Sequence, residues 1–477
     1  MPLWQSRLAV RVSWVAFRRI PEPGRSVGNA DVAGYRETLQ RIAKVFAADL
    51  TPRPCRVVDA RRLYPARVSK RIRRRKPGRP AARKQAGRTP PQRRAGSDEP
   101  DLVRNVATAL ADEHPLAMLE LVSMLLAALE PRRHGPFDPE PATEVPSCDE
   151  LVQTFLDVDL LETSALLAVI AAFSGDDMLR RRVRREISSR ADALPRWLAD
   201  LTETVPADRV LEVVHVLGDG DNVVIGARLP GGYEITAVVY VDHNMGTLVK
   251  DAFVVPGSID ELVQRMLAVA NDPDTEARDL DAADARARIT EAIKLGAISF
   301  PPCESDSWPA CRPLVEWLTA MLPEGGSGYQ RPEWDDAALA ELAERFLAAP
   351  SGAGVDDPDH RGLLKSLLWF GTDYGPGDPL RWSPTAVEIL LVDWIPRKIV
   401  ADAGYLAKAP DVLRAFIRFC HRERGIRAEL TTQTLAAVDE YEPGYQKLIR
   451  SPRPQGPAAL LAAMGPLTAG GPGSARR

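Results

Sequence analysis

Residues 209–255 read RVLEVVHVLGDGDNVVIGARLPGGYEITAVVYVDHNMGTLVKDAFVV, and they contain four runs rich in β-branched and aromatic residues. The intervening sequences, GDGD, LPGG and DHNMG, are rich in the residues that tight turns require. In the third run, apolar residues from Tyr233 to Val241 alternate with Glu234 and Thr236. This alternation is typical of a strand with one face covered. The stretch therefore predicts a four-stranded antiparallel meander with helices against one face.

Helical patterns precede and follow this meander. Leu116, Leu119 and Val122 begin an apolar stripe at helical spacing, and Asp176 and Ser258 stand where helices need a capping side chain. Ser383–Pro384 pairs a capping hydroxyl with a proline that suits the first helical position, and Pro396 should end or kink that helix. The predicted fold class is α+β and predominantly α-helical, with helical segments flanking one four-stranded antiparallel β-meander.

The predicted organisation has five parts. Residues 1–100 form a basic, largely disordered arm, 101–208 a helical part, 209–275 the meander plus a helix, 276–450 a tryptophan-rich helical part, and 451–477 a disordered tail. Six of the nine tryptophans lie between residues 308 and 394, which predicts one aromatic-rich helical core. They are Trp308, Trp317, Trp334, Trp369, Trp382 and Trp394.

The arm gives this nearly neutral chain a strong charge asymmetry. The formal net charge is −3, yet residues 1–97 hold 25 Lys and Arg against 5 Asp and Glu, leaving 37 against 60 in the remainder. Such asymmetry is typical of an interaction tail. The basic side chains that could contact a nucleic acid are Arg73, Arg74, Arg75, Lys76, Arg79, Arg83 and Lys84.

Three interpretations of the arm remain open. KPGRP, residues 76–80, is similar to the core of a minor-groove AT-hook, but Pro77 replaces its first arginine and leaves Arg79 to enter the groove. The other basic residues would then bind phosphates without sequence preference. The alternatives are a solvated tail and an arm that folds back on the acidic body.

Two longer stretches resemble a family of uncharacterised actinobacterial proteins. They are TAVVYVDHNMGTLVKDAFVV (236–255) and SLLWFGTDYGPGDPLRWSPTAVEILLVDWIPRKIVADAGYLAKAPDVLRAF (366–416). The resemblance covers about residues 98–450 and implies no activity. It implies a short basic segment before the first helices, which corresponds to residues 69–97. We therefore expect translation to begin at Val68, with residues 1–67 as an upstream over-extension.

The hairpin tip VDHNMG, residues 241–246, offers the residue types most suited to catalysis. Asp242 and His243 supply an acid and a base, and Lys250 and Asp251 follow on the next strand. Counting along a regular ladder places Asp251 about 13 Å from the tip, so that the two sets should not form one cluster by themselves. A structural role as turn and strand residues is the simpler interpretation.

The remaining sequence excludes several common chemistries. No phosphate-binding P-loop, dinucleotide-binding glycine pattern, zinc-protease HExxH or GxSxG motif is present. Cys303 and Cys311 are spaced too widely for a zinc ribbon, so we predict no metal and no cofactor. Sparse cysteines and short apolar stretches favour a cytoplasmic protein without membrane attachment.

Two functions are compatible with these patterns. The favoured one is a non-enzymatic cytoplasmic binding or scaffold protein whose arm contacts DNA, RNA or an acidic partner. The alternative is an enzyme or small-molecule-binding protein with a pocket between the meander and the C-terminal helices, and residues 369–379 as a rim loop.

Overall fold

The sheet of this protein has more strands than the meander alone. The computed structural model describes residues 102–130, 145–299, 302–305 and 307–451. Within them, a six-stranded antiparallel sheet has the order β5-β4-β3-β2-β6, with β1 paired to β3. The strands are β1 (Val205–Pro206), β2 (Leu211–His215), β3 (Gly220–Leu229), β4 (Tyr233–Asp242), β5 (Leu248–Pro256) and β6 (Thr275–Asp279). The predicted mixed α+β class and the four strands of the meander are confirmed, but the total of four strands is wrong.

The two additional strands carry almost no sequence signal. β1 has two residues, and β6 reads TEARD, in which Ala277 is the only apolar residue. β6 instead pairs with β2 in a register that sets Arg278 opposite Glu212, and the two side chains form an ion pair. Because polar cross-strand pairs stabilise a strand that lacks apolar residues, β6 forms at the sheet edge despite its composition.

The helices before the sheet form where the apolar stripes and caps predict. They are α1 (Leu102–Leu110), α2 (Leu116–Leu129), α3 (Cys148–Leu156), α4 (Leu161–Phe173), α5 (Asp177–Ile187) and α6 (Arg196–Ala199). Asp176 caps α5 by accepting hydrogen bonds from the backbone N–H groups of Met178 and Leu179. Together with one face of the sheet, these helices enclose the first hydrophobic core.

Three further helices complete the layers around the sheet. They are α7 (Ile259–Ala270), α8 (Ala282–Ile298) and α9 (Trp308–Ala320). The hydroxyl of Ser258 caps α7, which covers the second face of the sheet through Ile259 and Val263. Helices α8 and α9 pack into the first core on the opposite face. Both faces of the central strands are therefore buried.

The C-terminal helices surround a second core of their own. They are α10 (Asp336–Ala348), α11 (Pro358–Asp373), α12 (Pro384–Glu388), α13 (Ile395–Lys398), α14 (Ala403–Leu406), α15 (Ala409–Glu423) and α16 (Ala428–Leu448). Trp382 and Trp394 lie in this core, whereas Trp308 and Trp317 belong to the first. The prediction of one tryptophan-rich core is therefore wrong, because the chain between residues 308 and 394 passes from one core to the other.

A π-helix joins α12 to α13 at Ile389–Trp394. A proline ring in a regular α-helix clashes with the carbonyl four residues earlier, which for Pro396 belongs to Val392. The wider π turn lies immediately before Pro396, and the helical chain continues to Lys398. π-Helical turns often accompany functional sites, and this one faces the cleft described below.

Some sequence predictions fall outside the described residues. The basic arm of residues 1–100, its seven candidate nucleic-acid-binding side chains and residues 452–477 of the tail are among them. These remain predictions.

Candidate functional site

A β-bulge brings Lys250 to the tip of the β4–β5 hairpin. Tyr240 pairs with Asp251 and Val241 with Val249, so that Lys250 is an extra residue on β5. Its Nζ donates to Asp242 Oδ2 at 2.7 Å, and this carboxyl is buried. Bulges turn side chains away from their regular alternation, which explains why counting along a regular ladder did not pair these two residues.

Asp251 does not join this cluster. Its Oδ1 accepts hydrogen bonds from the hydroxyls of Ser305 at 2.6 Å and Ser307 at 2.7 Å. Asp251 therefore anchors the segment that leads into α9.

The turn before β3 and the start of β3 each contribute one carboxyl beneath the same hairpin tip, Asp219 and Asp221. Asp219 accepts from Asn244 Nδ2 at 2.7 Å and from Ser383 Oγ at 2.5 Å, linking the sheet to the first residue before α12. Burial raises the pKa of Asp219, and the nearby Asp242 contributes in the same direction. A Cβ on Gly220 would lie 2.5 Å from the carbonyl oxygen of Val241, so only glycine fits between these two carboxyl-bearing residues.

His243 connects the second carboxyl, Asp221, to the end of the hairpin loop. Its Nε2 lies 2.9 Å from Asp221 Oδ2, and its Nδ1 lies 3.3 Å from Thr247 Oγ1. The His243 residue is 7% exposed and Asp221 is 8% exposed, while Thr247 is half-buried. The three side chains form one continuous chain of hydrogen bonds from the interior to the loop.

A second polar network supports His243 from the side. The ring of Tyr329 meets His243 edge-on at 4.8 Å, and the guanidinium of Arg288 lies 4.9 Å from the centre of the Tyr329 ring. Arg288 donates to Glu212 Oε1 at 2.6 Å, and Arg278 donates to Oε2 of the same carboxylate at 2.7 Å. Glu212 is only 1% exposed, so two arginines neutralise a fully buried charge.

A cleft of about 570 Å³ opens beside this tip, between the sheet and the C-terminal helices. Four chain segments line it: the hairpin loop from Asn244 to Thr247, α8, the loop before α10, and the region from Asp373 to Arg397. The aromatic residues of its wall are Tyr329, Tyr374 and Trp394. This volume lies within the range that small-molecule sites occupy.

The charges along the cleft are only partly neutralised. Asp393 pairs with Arg397, but Glu291 and Asp373 form no ion pair with any residue that the structure describes. Arg331 uses its guanidinium to donate to the backbone carbonyls of Asp373 at 3.0 Å and Gly375 at 2.6 Å. Arg331 thereby fastens the rim loop to the segment before α10.

Two buried aromatic groups on this wall lack hydrogen-bond partners among the described residues. They are the hydroxyl of Tyr329 and the indole N–H of Trp394. Buried polar groups are normally paired, so these two are unusual, but both atoms lie beneath the surface of the wall and are shielded from the cleft itself.

A separate cluster of His215, Asp272 and Asp274 brings three potential metal ligands together. Asp274 accepts from Arg427 Nε with both oxygens, at 3.0 and 2.9 Å. His215 Nδ1 accepts from the backbone N–H of Leu217, which leaves the proton on Nε2, 3.4 Å from Asp272 Oδ2. The atoms that would ligate a metal already take part in these hydrogen bonds and contacts. The cluster is therefore better suited to joining the sheet to α16 than to holding a metal.

Sequence reasoning identified part of this site. Asp242, His243 and Lys250 lie at the hairpin tip, and the predicted rim loop of residues 369–379 borders the cleft. The GDGD pattern predicts only turn residues at Asp219 and Asp221, whereas Asp221 belongs to β3. No sequence pattern indicates that Tyr329 and Thr247 belong to this site. The one local feature is that Thr247 follows a glycine in a turn.

Comparisons with known proteins add no further assignment. No family model, curated protein or solved structure matches this chain. The resemblance to an actinobacterial family over residues 98–450 stays a prediction. Among the described helices, none combines the length and the apolar composition needed to cross a membrane.

Proposed function

We propose that this protein binds a small organic molecule carrying a positive charge, in the cleft between the sheet and the C-terminal helices. The observation that carries this proposal is the pair of carboxylates at Glu291 and Asp373, which have no ion-pair partner among the described residues and border a cleft of about 570 Å³. Tyr329, Tyr374 and Trp394 line the same space. Aromatic faces and carboxylates together favour organic cations.

The charges that line the cleft also limit the charge of the ligand. One guanidinium, Arg331, is committed to two backbone carbonyls, and a second, Arg397, is paired with Asp393. The carbonyls leave the charge of Arg331 uncompensated, but the lining still holds three carboxylates against two guanidiniums, and this net charge of −1 favours a cationic ligand.

The cleft proposal predicts that benzyltrimethylammonium binds more tightly than benzyl alcohol, a ligand with the same ring and no charge. Asp373→Asn should weaken binding of the cation by at least about fivefold, because it removes one attractive charge while its amide oxygen can still accept from Trp369 Nε1. Isothermal titration of the full chain measures both affinities.

Asp336→Asn is the matched control, because Asp336 is exposed in the first turn of α10 and does not line the cleft. Its affinity should equal that of the unchanged protein. Equal binding of the cation and the alcohol, or no effect of Asp373→Asn, would contradict the proposal.

The charge asymmetry of the sequence supports a second function, contact of the basic arm with nucleic acid. Residues 68–97 carry 12 Lys and Arg and no Asp or Glu. A chain that neutralises several phosphates loses affinity steeply as salt rises. We propose this contact independently of the cleft, with Arg73 to Lys84 as the binding residues.

Removing residues 1–97 should reduce affinity for a DNA or RNA duplex at least about tenfold at low salt, and should flatten the dependence of affinity on salt. Fluorescence anisotropy of the full chain and of a 98–477 variant across a salt series measures both quantities. An unchanged salt slope after truncation would refute the contact and would favour an arm that is solvated or bound to the acidic body.

A further inference from the structure

The hydrogen-bond chain from Asp221 through His243 to Thr247 has a defined direction. A carboxylate can only accept, so Asp221 Oδ2 accepts from His243 Nε2–H across 2.9 Å. The proton on Nε2 leaves Nδ1 with a lone pair, and Nδ1 therefore accepts from the hydroxyl of Thr247 across 3.3 Å. This is the arrangement in which an imidazole acts as base toward a hydroxyl while a carboxylate orients the ring.

The backbone at Thr247 supplies an independent observation. Thr247 has φ 61° and follows Gly246 with φ 106°. The left-handed region is strained for a β-branched residue, whereas glycine or asparagine adopts it readily in a turn. Strain of this kind is concentrated at functional sites. The turn by itself does not require threonine, whereas the contact with His243 requires a hydroxyl.

Thr247 also lies where a ligand in the cleft would meet it. Thr247 lines the cleft, while His243 and Asp221 are almost fully buried behind it. Tyr329 packs edge-on against the imidazole from the side and restricts its rotation. The length of 3.3 Å to Nδ1 is ordinary for a catalytic contact without substrate, since such contacts tighten when the substrate binds.

We infer that Thr247 is the nucleophile of an acyl-transfer reaction on small esters, with His243 as general base and Asp221 as the group that orients it. In the first step, Thr247 Oγ1 bonds to the acyl carbon and its proton passes to His243 Nδ1. The bond between the acyl carbon and the alcohol oxygen then breaks, and the alcohol departs with that proton. Water attacks the acyl-threonine in the same way, giving the carboxylic acid and restoring the hydroxyl.

This inference rests on the proposed cleft function for the delivery of a substrate, but the reactivity of Thr247 can be measured without it. A small alkyl fluorophosphonate and p-nitrophenyl acetate are neutral probes that do not need the carboxylates of Glu291 and Asp373. Loss of benzyltrimethylammonium binding with retained labelling would contradict only the cleft proposal. Normal binding of the cation without labelling would contradict only the nucleophile.

The full chain should acquire one phosphonyl group, located on Thr247 by peptide mass spectrometry, and should release p-nitrophenol from the ester. Thr247→Ser should keep the adduct, because it keeps the hydroxyl. Thr247→Val and His243→Gln should each slow labelling at least about 100-fold, the usual contribution of a positioned base and its nucleophile. Thr432→Val, at an exposed position of α16 outside the cleft, should react like the unchanged protein.

Three results would overturn the inference: no adduct in the unchanged chain, an adduct elsewhere than at residue 247, or labelling that survives Thr247→Val or His243→Gln. Circular dichroism of each variant establishes that it is folded. If Thr247→Val does not fold, the position of the adduct in the unchanged chain and in Thr247→Ser still decides the outcome, since a buried structural hydroxyl would carry no label in either.

Discussion

Replacing Glu212 with alanine is expected to lower the free energy of unfolding by about 3 kcal/mol. Glu212 is 1% exposed, and its carboxylate accepts from Arg278 and Arg288 on two different elements. Removing it leaves the largely buried guanidinium of Arg288 without its anion. The exposure of Arg278, at 54% of its side chain, keeps the expected loss at the lower end of the range for buried pairs. Urea unfolding followed by circular dichroism measures the change.

Asp279→Ala provides the control for this substitution. Asp279 lies on β6, the strand next to that of Glu212, and also pairs with an arginine, Arg209, but its side chain is 75% exposed. Exposed pairs contribute at most about 1 kcal/mol, so this variant should unfold almost like the original protein. Equal effects of the two substitutions would show that the burial of Glu212 is not what makes its ion pairs important.

Replacing Glu120 with glutamine is expected to stabilise the protein at pH 8 by about 2 kcal/mol. Burial in α2 raises the pKa of Glu120 from 4.5 to about 7. The folded protein thus holds this proton over a pH range in which the unfolded chain has already released it. The free energy of unfolding therefore falls as pH rises from about 4.5 to about 7. Glutamine does not ionise, so it should remove this dependence.

Unfolding at pH 4, 6 and 8 tests this prediction. The two proteins should differ least at pH 4, where Glu120 is protonated in both states, and most at pH 8. Glu113→Gln is the control, because Glu113 is exposed in the turn just before the same helix. A stabilising effect of Glu120→Gln that is the same at all three pH values would contradict the assigned cause.

Much of the fold follows from local patterns in the sequence. β-Branched runs with glycine-rich turns predict β2 to β5, and Asp176, Ser258 and Ser383 cap the helices that follow them. These features involve residues within a few positions of each other, where side-chain periodicity and backbone preference act directly. These local patterns do not predict β6, because its stability comes from pairing with β2 in the sheet.

The candidate site could be predicted only in part, for a related reason. Asp242 and His243 are adjacent in the sequence and indicate a polar hairpin tip. The bulge that brings Lys250 to Asp242 arises from the pairing of two strands, and a bulge shifts register without any distinctive residue. Asp221, 22 positions before His243, became its partner only through the pairing of β3 with β4.

The sequence by itself determined the strands of the meander, the helix starts and the charge division between arm and body, because each depends on neighbouring residues or on composition. Only the tertiary structure determined the position and the lining of the cleft. It brings Thr247, Tyr329 and Asp373 together from distant parts of the chain, where two separate hydrophobic cores meet. Burial of apolar surface is non-directional, so the way in which two cores pack against each other depends on their complete surfaces and not on any short motif.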